Sequence, residues 1–146
     1  MALKVEVVTE ATEELVEAAA GLLPQLSPHR GQPTLQSVTQ FLAAEANTLL
    51  VARVDGAIAG MTTVVLIPAI DGKLRTFLED VVVSSDFRRQ GVGDALVEAG
   101  IAKARELGSP QLQLQSNPKR EAAQRLYQRH GFEPYGTTVF RYDLLK

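Results

Sequence analysis

Apolar and polar positions alternate with period two over residues 3–8, which predicts a short strand. Over 12–23 the spacing becomes helical. Thr12 can cap this helix, Glu13 and Glu14 suit its positive end, and Pro24 stops it. Residues 24–33 (PQLSPHRGQP) hold three prolines and a glycine and read as a loop. A second helix starts at Thr34, with Leu35, Val38 and Leu42 on one face. Residues 48–54 and 57–67 are two strands joined by Asp55-Gly56, a pair that tolerates the positive φ of a type I′ turn. A second Asp-Gly, at 71–72, leads into a strand over 74–84, so three antiparallel strands follow in succession.

The pattern then changes. A helix over 91–107 turns Val92, Ala95, Leu96, Ala99 and Ala102 inward and is followed by Gly108. Residues 111–115 (QLQLQ) alternate strictly and predict a strand with one apolar face. Residues 118–130 predict another helix, with Asn117 as cap, Pro118 at its first position and Gly131 past its end. Residues 137–144 alternate again and are expected to close the sheet. The sum is an α+β fold: a mixed, mostly antiparallel sheet with helices on both faces. No repeat or linker divides it, so residues 1–146 are expected to be one domain.

Composition narrows the chemistry. A net charge of −2 argues against nucleic acid as the main partner, since phosphate backbones demand a basic surface. The chain has no cysteine, which excludes disulfides, thiolate metal sites and an acyl-cysteine intermediate. Two histidines, His29 and His130, do not make a zinc site without further ligands, so no metal is expected. The N-terminus lacks a basic segment followed by an apolar core, and no apolar run is long enough for a bilayer. A cytoplasmic protein without a membrane partner is the expectation.

The candidate chemistry centres on Arg88-Arg89-Gln90-Gly91-Val92-Gly93, between the Val81-Val82-Val83 strand and the long helix. A strand running into a glycine-bearing helix start presents unpaired N–H groups to one point, and the helix dipole adds positive potential. Glycines admit a bulky anion, so the segment can cradle a pyrophosphate. A Walker loop is ruled out, because no Gly-Lys-Ser/Thr follows after four residues. A Rossmann site wants a third glycine where Leu96 stands, and parallel βαβ units where this chain has hairpins. What remains is the pyrophosphate arm of coenzyme A, or a plain helix start with turn glycines.

With its neighbours, this segment resembles the GNAT N-acetyltransferase superfamily. The family signature Arg/Gln-x-x-Gly-x-Gly/Ala is matched by Arg88, Gly91 and Gly93. Its later Asn, helical Tyr and Gly-Phe are matched by Asn117, Leu126-Tyr127 and Gly131-Phe132. These motifs cover residues 77–132; the first 76 residues match in pattern alone. The resemblance implies acetyl transfer from acetyl-CoA to a primary amine, on a small molecule or a peptide, in a ternary complex. It also implies a sheet splayed between the strands at 77–84 and 111–115. The backbone of Val81, Val82 and Val83 would hold the pantetheine and the thioester carbonyl. Residues Arg88, Arg89, Gln90, Gly91, Val92 and Gly93 would cradle the pyrophosphate, and Asn117 would also touch the cofactor. Tyr127 would protonate the leaving thiolate. Many family members carry an acidic residue where Glu79 lies and use it as general base.

Several alternatives stay open at this level. Alternation is expected to send Glu79 and Asp80 to opposite faces, with Glu79 sharing a face with Val81 and Val83. Either carboxylate could instead pair with Arg53 or Arg75 on a neighbouring strand. His130 suits the negative end of its helix. His29 and Arg30 sit in the loop where GNAT enzymes build the acceptor lid. A homodimer is allowed, and a non-catalytic acyl-CoA sensor is the rival to an enzyme.

Overall fold

The structure, a computed structural model, describes residues 2–145. Its elements are β1 (Leu3–Val8), α1 (Glu13–Leu22), α2 (Leu35–Ala43), β2 (Asn47–Val54), β3 (Ala57–Pro68), β4 (Leu74–Val83), α3 (Val92–Glu106), β5 (Leu112–Leu114) and α4 (Glu121–Arg129). Single 3₁₀ turns cover Leu23–Gln25 and Ser85–Phe87. The sheet runs β1-β2-β3-β4-β5, antiparallel throughout except for the parallel β4–β5 pair.

Local chemistry accounts for most boundaries. The Thr12 hydroxyl accepts the Leu15 N–H at 3.1 Å, starting α1. Thr34 and Ser37 form a reciprocal capping box at α2, with bonds of 2.9 and 3.0 Å. Asp55 and Gly56 both take positive φ, 49° and 88°, as the β2–β3 turn requires.

The sheet is covered on both faces. On one side Leu50, Ala52, Val64, Leu78 and Val81 pack against Val92, Leu96, Val97 and Tyr127 of α3 and α4. On the other, Leu49, Val51, Met61 and Val82 meet Leu15, Ala19, Leu22 and Val38 of α1 and α2. This is why β2 reads as the unbroken apolar run Leu49–Ala52: both faces of the strand are buried. A close backbone approach is at Gly60, where an added Cβ would stand 2.7 Å from the Val82 carbonyl oxygen and 3.0 Å from Leu96. Gly60→Ala is therefore expected to cost roughly 1–3 kcal/mol through overpacking. A lower urea midpoint with an unchanged m-value is the expected reading; an unchanged midpoint would contradict it.

Three expectations are corrected. Residues 137–144 form no strand, and the sheet ends at β5. Helix α4 begins at Glu121 rather than at residue 118. Asn117 instead closes a preceding turn, its Oδ1 accepting the Lys119 N–H and its carbonyl the Arg120 N–H, both at 2.9 Å. An Asx turn satisfies the backbone locally and so delays the helix. Third, β4 does not alternate through Asp80. Met61 pairs with Val82 and Thr63 with Glu79, so Asp80 and Val81 together oppose Thr62. Asp80 takes φ 55°, and the result is a β-bulge.

Pairing between β4 and β5 covers only Thr76, Leu78 and the residue between them. Past Leu78 and Leu114 the strands part, and β4 continues alone on this side to Val83. The splay expected between residues 77–84 and 111–115 is present.

Candidate active site

The segment after β4 leaves a run of backbone donors open. Arg89 and Gly91 take φ 62° and 80°, and Gly91 is the cap residue of α3 with no side-chain bond. Among the described residues no acceptor takes the N–H groups of residues 88–94; the first helical bond is Ala95 N–H to the Gly91 carbonyl at 3.0 Å. Seven successive open amides at the positive end of a fifteen-residue helix offer the donors and the potential that an anion cradle needs. A Cβ at Gly91 would meet nothing within 4 Å, so the concavity there is open. Gly93 is different: a Cβ would stand 3.1 Å from Leu126 and 3.7 Å from Val83. Its missing side chain lets α4 pack against the junction of β4 and α3. The Arg88 guanidinium donates to Gln25 at 3.3 Å, tying the cradle to the turn after α1.

That packing carries Tyr127, one residue after Leu126. Tyr127 is buried, and burial raises its pKa against an opposing contribution from Arg120. Its ring meets Phe132 edge-on at 6.0 Å, and its carbonyl accepts the Phe132 N–H at 3.0 Å. Asp94, in the first turn of α3, clamps the far end of α4, accepting from His130 at 2.7 Å and from Arg129 at 2.9 Å. Burial pushes the Asp94 pKa up, but the bonds from His130 and Arg129 outweigh it and the net shift is down. His130 therefore holds α3 to α4. Just past β5, the Ser116 hydroxyl is the one buried side-chain polar atom without a partner among the described residues.

The bulge rearranges the carboxylates. Glu79 pairs directly with Thr63 and so shares its face, the face of α1 and α2. Asp80 reaches the same side, where its carboxylate takes a two-bond contact from Arg30 at 2.8 and 2.6 Å. The expectation that Glu79 shares a face with Val81 and Val83 is overturned: Val81 and Val83 pack with α3, while Val82 lies on the Glu79 side. The proposed partners Arg53 and Arg75 are also replaced. Arg53 binds Glu6 and Glu14, and Arg30 comes from the proline-rich loop. Burial raises the Glu79 pKa, with Asp80 adding to the rise and Arg30 opposing it.

Arg30 and Asp80, but not Glu79, border a cavity of about 440 Å³ between the sheet and α1, α2 and the loop at 30–33. Leu15, Phe41, Leu49 and Met61 form its apolar wall, and Thr63 and Asp80 its polar rim. The glycine-bearing start of α3 and the place of Tyr127 on the helix after β5 were legible from sequence. The Arg30–Asp80 pair was not, because it depends on a bulge and on a loop folding back over fifty residues. The Asp94–His130 clamp had one faint signal, an acid and a base at the favoured ends of two helices. No helix among the described residues is long and apolar enough to cross a membrane.

An α+β sheet splayed beside an open amide cradle defines a class, and comparison with known proteins agrees. Residues 12–132 match the Acetyltransferase (GNAT) family, and the chain belongs to that family. A mycothiol acetyltransferase from Propionibacterium freudenreichii subsp. shermanii is 38% identical over 69 residues; the match covers 47% of this chain and 22% of that protein. A transcriptional regulator from Bacillus halodurans C-125 superposes with a TM-score of 0.83 at 25% identity, covering 97% of this chain and all of the other. AAC(6')-Iy in complex with a bisubstrate analogue of coenzyme A superposes with a TM-score of 0.79 at 21% identity, over 98% of this chain and 99% of that one. Acetyl-CoA is the acyl donor of the family.

Proposed function

We propose that this chain transfers the acetyl group of acetyl-CoA to a primary amine by direct attack in a ternary complex. The observation that carries the reading is the run of open amides at 88–94, beside the unpaired edge of β4 and on the helix against which Tyr127's helix packs. The residues fit the donor. Residues 88–93 accept the pyrophosphate. The β4 edge at Val81, Val82 and Val83 pairs with the pantetheine amides, with Ser116 and Asn117 where the strands part. A strand N–H at Val81 or Val82 takes the developing oxyanion.

The reaction then needs three proton movements. An ammonium acceptor gives a proton to Glu79, directly or through water, and the free amine attacks the thioester carbon. The C–S bond breaks, the thiolate takes the Tyr127 proton, and the second proton shed by the nitrogen as it becomes the amide returns through water to the Tyr127 phenolate. Both directions of pKa shift serve this: a raised Glu79 is a better base, and a raised Tyr127 stays protonated until needed. Release of free coenzyme A in the presence of an amine panel tests the reading. Binding of acetyl-CoA without turnover on any amine would favour a sensor instead.

The base assignment has its own expected outcome. Because the Glu79 pKa is raised, its basic form builds up only above the ordinary carboxylate range, and kcat/KM should rise through that pH window. Glu79→Gln should lose most just above that window, where Glu79 is ionised but few acceptor amines are free, and recover as pH approaches the amine pKa. Asp80→Asn should instead release Arg30 and raise the acceptor KM at every pH. A uniform loss in Glu79→Gln would assign it to acceptor positioning, and a pH-dependent loss in Asp80→Asn would move the base to Asp80.

A further inference from the structure

The cavity beside the β4 bulge is apolar in its walls and neutral in its charge. Leu15, Leu23, Val38, Phe41, Leu49 and Met61 make most of the wall. Among the described residues only Arg30 and Asp80 bring charge to the lining, and they cancel each other through their two bonds of 2.8 and 2.6 Å. The elements around the cavity add none. Helix α2 carries no charged residue. On α1, Glu14 is held by Arg53, while Glu13 and Glu17 line a separate hollow with Val16 and Leu35.

Two strand pairs connect this cavity to the chemistry. Met61 lines it and pairs with Val82, whose backbone is assigned to the thioester. Thr63 lines it and pairs with Glu79. Because Arg30 already occupies Asp80, Glu79 is the carboxylate left for an incoming ammonium. One free negative charge then faces one positive charge. A second ammonium would enter the apolar walls without a partner, which is costly. An acceptor carboxylate would have to displace Asp80 from Arg30.

We infer that the acceptor is a singly charged primary amine on an aliphatic or aromatic body, and that Arg30 sets this preference by closing Asp80 to a second ammonium. The inference rests on the acetyl-transfer reading and deepens it. The body fills the space beneath α1 and α2, and the nitrogen stands beside Glu79. Arg30 determines specificity through the charge it neutralises and takes no part in the bond changes.

Hexylamine, hexamethylenediamine and ε-aminocaproate share one chain length and end in a methyl, an ammonium and a carboxylate. With saturating acetyl-CoA, hexylamine should have the highest kcat/KM of the three. Each CH₂ added between butylamine and hexylamine should raise it about fourfold. Arg30→Gln should improve putrescine about fivefold relative to butylamine, and added salt should shrink that gain. Arg30→Lys, which keeps the charge, should keep the wild-type ranking. A preference for the diamine or for aminocaproate would overturn the inference while acetyl transfer stands, and so would an unchanged putrescine ratio in Arg30→Gln. Calorimetric binding of the three amines to the protein loaded with free coenzyme A needs no turnover. Tightest binding of hexylamine, without release of coenzyme A from acetyl-CoA, would keep the inference on acceptor class and sink the acetyl-transfer reading. Neither turnover nor binding with any of the three would overturn both.

Discussion

Tyr127→Phe should lower kcat by roughly 10²–10⁴, the range for loss of a general acid, while leaving acetyl-CoA affinity and the fold in place. The substitution is nearly isosteric, and the ring keeps its edge-on contact with Phe132. Among the described residues the Tyr127 hydroxyl makes no hydrogen bond, so its removal strands no buried partner. On the proposed reading, what is lost is the proton given to the leaving thiolate. Because burial raises the Tyr127 pKa, an alkaline fall in rate is expected where it ionises, above the ordinary tyrosine value. The Phe variant should lack that fall. Wild-type kcat in the variant, with chemistry shown to limit the rate, would remove Tyr127 from the reaction.

Gly91→Asp should abolish the thermal stabilisation that acetyl-CoA gives the wild type. At a ligand concentration of 100 Kd that stabilisation is about 2.7 kcal/mol. A carboxylate at position 91 meets no protein atom within 4 Å and so stands in the open concavity, where it repels the pyrophosphate. Gly91→Ala is the control: it bears the same strain at φ 80° without the charge, and should keep most of the shift. Gly93→Asp is the poorer probe, since any side chain there strikes Leu126 and lowers stability whether or not ligand binds. Undiminished acetyl-CoA affinity in a folded Gly91→Asp variant would end the cradle assignment.

How much of this was legible in the sequence depended on how local its cause was. The Asp55-Gly56 turn, the Thr12 and Thr34 caps and the cradle glycines follow from residues within one turn of each other, and the structure has them. The face of Glu79 was misread because period-two reasoning assumes an unbroken ladder, and nothing in Leu-Glu-Asp-Val marks the extra residue. The Asn117 cap was misplaced because an Asx turn and a helix cap use the same side-chain bond two residues on. The strand at 137–144 was expected from an alternation that is real, but the segment joins no sheet in the structure.

The bulge at Asp80 has an effect on how this site tolerates change. Because Asp80 is the surplus residue, Val81 and Val83 keep the α3 side and Val82 the α1 side, just as an uninterrupted ladder without residue 80 would place them. The side chain at 80 is thus uncoupled from the packing of the valines on either side of the sheet. Substitutions at this position reshape the wall of the 440 Å³ cavity and the seat of Arg30, while the backbone assigned to the thioester stays where it is. On the proposed reading, acceptor preference would then have a place to drift that the donor half does not feel.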